Sequence, residues 1–115
     1  TSDLGAHWEE RTAAPVPLGG IVARLGLPAE VHTRLRSVLR RSVEYGFAHR
    51  EETLPTMRLH AQELTDEAIW PHVDLYVNDF SIDLGKEGVA ALEQLDHWAR
   101  ECGLVASDAP ALTIL

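Results

Sequence analysis

The stretch "PLGGIVARLGL", residues 17–27, constrains this chain more than any other, because it reads as a strand among helical patterns. Ile21, Val22 and Ala23 form a continuous apolar run, the pattern of a strand covered on both faces. A strand cannot satisfy its own backbone donors and acceptors, so it needs neighbours. A single strand over about residues 16–25 therefore predicts a sheet finished by the remainder of the same polypeptide or by a second chain. In a complete chain, dimerisation through that strand is the alternative. Gly19 and Gly20 stand at its entrance. Paired glycines there mean either that another group approaches the backbone closely or that the chain turns sharply.

The rest carries helical periodicity. Residues 4–13 predict a short helix capped by Asp3, with Leu4 and Trp8 one turn apart and Pro15 and Pro17 ending it. Pro28 suits the first turn of the next helix. Val31, Leu35, Val38, Leu39, Val43 and Phe47 then give the clearest helical period in the chain. Arg34, Arg36, Arg40 and Arg41 read as its solvated face, and "HREETLP" (49–55) as its end. A third helix is expected over about residues 55–64, with Met57, Ala61 and Leu64 buried. Thr65 is placed to cap a fourth, with Asp66 and Glu67 at its positive end. Ile69, Val73, Tyr76, Val77 and Phe80 share a face there, and Pro71 must kink the helix or lie in its first turns. The last helix spans about residues 86–102, with Val89, Leu92, Leu95, Trp98 and Ala99 inward and Gly103 as its end. The expected class is α/β, mostly helical with one or few strands.

Composition excludes several functions. Apolar residues make up 45% of the 115, too many for a disordered chain. The formal net charge of −8 argues against a partner such as nucleic acid, whose phosphates demand clustered Lys and Arg. There is no run apolar enough to span a membrane. The one cysteine, Cys102, cannot form an intrachain disulfide, which suits a cytoplasmic protein.

Few residues announce chemistry. The six histidines, His7, His32, His49, His60, His72 and His97, are scattered, with no HExxH motif and no CxxC pair to bind metal. There is no GxSxG elbow, Walker pattern or GxGxxG loop. "RLHAQELTDE" (58–67) is the exception, because His60 and Glu63 fall on successive turns of a helix. Three readings stand: an acid/base pair whose carboxylate fixes the imidazole tautomer, two ligands of a metal site, or a histidine braced at a helix edge or cleft wall.

The segments "DLGAHWEERTAAPVPLGGIVARLGL" (3–27), "RRSVEYGFAH" (40–49), "HAQEL" (60–64) and "HVDLYVNDFSIDLGKEGVAAL" (72–92) together resemble the 1,4-dihydroxy-6-naphthoate synthases, lyases of the futalosine route to menaquinone. The sister family, the chorismate dehydratase of that pathway, shares a similar "DLG…W" opening but differs where this chain has "VPLGG". The resemblance implies a type II periplasmic-binding-protein-like fold of two α/β lobes. This chain, residues 1–115, would be its C-terminal segment, with the hinge strand at about 16–25 and helices after it. It implies cleavage of cyclic dehypoxanthinyl futalosine, a small carboxylated substrate, with no cofactor and no metal. The family's base, a histidine, would lie upstream of Thr1, so no catalytic residue is expected in this chain. Leu18, Gly19, Gly20, His60, Glu63 and Asn78 are the residues expected to border the substrate. A non-catalytic solute-binding module of the same fold is the competing reading, since fold alone does not fix function. A helical interaction domain is the third.

Overall fold

The computed structural model describes residues 3–61 and 65–115. Among them are six helices: α1 (Leu4–Thr12), α2 (Ala29–Ala48), α3 (Arg50–His60), α4 (Asp66–Tyr76), α5 (Asp79–Ile82) and α6 (Gly85–Glu101). They fall into two compact units, one of residues 1–22 and 84–115, the other of residues 23–83.

The first unit holds α1 and α6. Asp3 caps α1 as its sequence predicts, its Oδ1 accepting from the Ala6 amide at 3.0 Å. Trp8 is 8% exposed. Its indole Nε1 donates to the Pro15 carbonyl at 3.1 Å, which folds the proline segment back onto the helix. Its ring meets Trp98 of α6 edge to face, with centroids 5.0 Å apart. Gly88 and Ala91 are the buried positions of α6. The expected inward residues Val89, Leu92, Trp98 and Ala99 are half-buried, and Leu95 is exposed. Gly103 follows the helix at φ 71°, the left-handed conformation that glycine adopts without strain. Arg100 then ties the tail down, donating to the carbonyls of Ala109 at 3.2 Å and Pro110 at 2.9 Å.

The second unit is built on α2, which lies against α3 and α5, while α3 lies against α4. The long apolar period predicted α2 closely, and its four arginines are exposed. The break after Ala48 is shorter than expected. His49 alone separates α2 from α3, because its Nδ1 and amide both engage the Tyr45 carbonyl, at 3.0 and 2.9 Å. Glu51 and Glu52 then favour an immediate new N-terminus. Pro55 lies inside α3 rather than opening it. Ile69, 2% exposed, is the most buried large side chain of this unit. Thr65 stands at the N-cap of α4, yet its side chain makes no capping bond.

The expected strand is absent. Residues 15–24 have neither helical nor strand structure, and no strand occurs among the described residues. The α/β, periplasmic-binding-protein-like expectation is thereby corrected: the regular structure of the described residues is helical throughout. The physical reason is the one that made the stretch notable. A strand exists only where a neighbour completes its ladder, and the described residues supply none. Ile21 is 78% exposed and Val22 92%, so the apolar run that suggested burial on two faces is open on both.

Candidate functional site

Of the "HAQE" segment, His60 and Ala61 are described and lie at the C-terminal end of α3. α3 ends on His60, where the Ala61 amide closes the last turn on the Met57 carbonyl at 2.8 Å. α4 starts six residues later, at Asp66. Two arginine–aspartate pairs join the helices. Where α3 ends and α4 begins, Arg58 places Nε and Nη2 on the two carboxylate oxygens of Asp66. Further along, Arg50 Nη1 and Nη2 reach Asp74 at 3.1 and 2.8 Å. Both are two-pronged forks, the strongest geometry for this pairing. Hydrogen bonding from Arg58 holds the Asp66 carboxyl below its ordinary range, and the same bond raises Arg58. Arg50 also lies over the Trp70 ring, 4.3 Å from its centroid, and 5.6 Å from that of Phe47.

The His60 side chain is exposed and makes no hydrogen bond with another described residue. Glu63 lies outside the described residues, so the His60–Glu63 pairing is not addressed by the geometry. Asn78 has a local task. Its Oδ1 accepts from the Phe80 amide at 3.0 Å, and its own amide donates to Ser81 Oγ at 3.2 Å, a reciprocal cap that starts α5. This cap ends the single helix expected through Phe80. Asn78 also lines an open groove of about 440 Å³ with Phe47, Asp74, Val77, Asp79 and Ile82. Leu18, Gly19 and Gly20 belong to the first unit and are exposed, and a Cβ built on either glycine would meet nothing within 4 Å. The predicted site residues are thus divided between the units, and no hydrogen bond joins any two of those described.

Sequence reasoning missed Arg58, Asp66, Arg50 and Asp74. Their signal was available. Both pairs share one centre in the sequence, the register of two antiparallel helices. A second cluster was also missed: Tyr45 donates its hydroxyl to Glu52 at 2.5 Å, which raises the phenol, and stacks on His49 at 4.0 Å between centroids. Among the described residues, no group of three or more His, Cys, Asp or Glu could hold a metal ion.

Comparison with known proteins identifies the family. A protein-family model described as Menaquinone biosynthesis matches residues 1–101, and the chain belongs to that family. It is 54% identical over 104 residues to the 1,4-dihydroxy-6-naphthoate synthase of Thermus thermophilus. It is 41% identical over 109 residues to the enzyme of that name from Streptomyces coelicolor. These alignments cover 90% and 95% of this chain but 38% and 39% of the relatives. The chain therefore spans about two-fifths of the length of the curated relatives it matches.

Proposed function

We propose that these residues form part of a 1,4-dihydroxy-6-naphthoate synthase, a carbon–carbon lyase that cleaves cyclic dehypoxanthinyl futalosine. The observation that carries this reading is the 54% identity over 104 residues, which embraces the "PLGG", "HAQE" and "LYVNDFS" segments. Cleavage releases a three-carbon sugar fragment, and aromatisation of the second ring drives it. The enzyme must then take a proton and hold a carboxylated bicycle away from water. In this reading Leu18, Gly19, Gly20, His60, Glu63 and Asn78 border the substrate, and none of the chain's histidines is the base. Asn78 retains its Nδ2 donors for a carboxylate while its Oδ1 caps α5.

The exposed apolar residues of 18–27 take their cover from the rest of the polypeptide or from a second chain. Cytoplasmic placement accords with the free, exposed thiol of Cys102. Among the described residues no helix is long and apolar enough to cross a membrane.

The test is to assay the intact enzyme and the isolated 115-residue chain on cyclic dehypoxanthinyl futalosine. Dihydroxynaphthoate is expected from the intact enzyme alone. No product from the intact enzyme would sink the assignment. Product from the isolated chain would make His60 the leading candidate for the base.

A further inference from the structure

Arg58 and Asp66 have no role in the reading above, yet they bracket the segment on which it depends. We propose that the Arg58–Asp66 pair is a positioning clamp that holds the C-terminal end of α3 to the N-terminal end of α4 so that His60 is presented to the carboxylated substrate. The inference rests on the proposed function for its substrate, and on the geometry of α3 and α4 for everything else.

Four observations carry it. First, Arg58 precedes His60 by two residues on the last turn of α3, and Asp66 is the first residue of α4. The pair therefore joins the two ends of the connection itself. Second, the contact is a fork on both carboxylate oxygens, which fixes direction as well as distance. Third, each charge stands at the helix end that favours it: a cation at the C-terminus of α3 and an anion at the N-terminus of α4. Fourth, Arg50 and Asp74 already join the same helices in the same register, just over two turns away. The two helices have one link at Arg50, which is also packed over Trp70, and a separate one at Arg58.

Both links are about half exposed. The side chains of Arg58 and Asp66 are 50% and 46% exposed. Exposed ion pairs add little to global stability. A clamp of this kind acts on geometry, by limiting how far His60 can move, and misplacement of a substrate-contacting group is costly to turnover.

The experiment uses the intact enzyme with Arg58→Met, Asp66→Asn, the double variant and the conservative Asp66→Glu. Steady-state kinetics are read beside thermal melting and exchange of the Ala61 amide. Each of the first two variants is expected to lower kcat/KM about tenfold, mainly through KM, with the melting temperature nearly unchanged. The double variant should be no worse than either single, and Asp66→Glu should recover most of the loss. Exchange at Ala61 should quicken in step. Three results would overturn the clamp: single variants within twofold of wild type, losses that multiply in the double variant, or unchanged Ala61 exchange. If the wild type itself gives no product, the functional assignment fails. The exchange readout still decides the clamp, since it needs no substrate.

Discussion

At the scale of single residues, Asp66 is, among the described residues, the carboxylate with a resolved downward displacement, caused first by its hydrogen bonds from Arg58. A carboxyl lowered by folding contributes stability that is fully present above the ordinary carboxylate pKa. That stability is lost as pH falls through the lowered value. The stability difference between wild type and Asp66→Asn should therefore be small at neutral pH, because the pair is half exposed, and should close as the solution is acidified below the ordinary carboxylate pKa. Chemical denaturation along a pH series checks this, and a gap that widens in acid would contradict the Arg58 contact. Residue-scale reading of the sequence succeeded where the partner was local. Asp3 lies three residues from the amide it caps, and such a bond is written in the spacing. It did not reach Arg58 or Asp66, whose contact depends on a chain reversal between them. Thr65 shows the converse, a residue of the right type at the right position whose side chain makes no cap bond.

Among the elements, α2 was legible because its apolar period runs unbroken over four turns and more. α3 was not, because Pro55 reads as a first-turn residue but stands at the sixth position of a helix that His49 and the two glutamates start earlier. The break between α4 and α5 was also hidden, since Val77 and Phe80 continue the apolar face while Asn78 redirects the backbone. This cap is open to test. Asn78→Ala should weaken α5 by about 1 kcal/mol, read as faster exchange of the Phe80 amide, and Asn78→Asp should leave that exchange close to wild type. Equal exchange in Asn78→Ala would mean that Oδ1 is not the acceptor that holds the turn. The strand over 16–25 was misread for a different reason. Apolar continuity reports a demand for burial, whereas strand structure requires a partner, and sequence within the segment cannot supply one.

For the whole chain, that unmet demand has a measurable effect. Leu18, Ile21, Val22 and Leu25 are each exposed, large apolar side chains with a demand for cover. The isolated 115-residue protein should associate as its concentration rises, and Ile21→Lys with Val22→Lys should return it to a monomer in sedimentation. A wild-type chain that stays monomeric would remove the argument for a covering partner. Family membership was legible from four ordered segments. The distribution of the candidate site over two units was not, since Leu18, Gly19 and Gly20 belong to one and His60 and Asn78 to the other.

The tryptophans follow the same division. Trp8 and Trp98 lie edge to face in one unit, while Trp70 in the other lies beneath a guanidinium with its Nε1 buried. The chain thus carries a natural optical label for each half. The close indole pair supplies a coupled circular-dichroism signal, and the solitary ring supplies fluorescence quenchable by its own cation. With phenylalanine at the paired positions, emission reports the His60-bearing half alone. Structural changes there can then be timed separately from events in the half that bears the glycines.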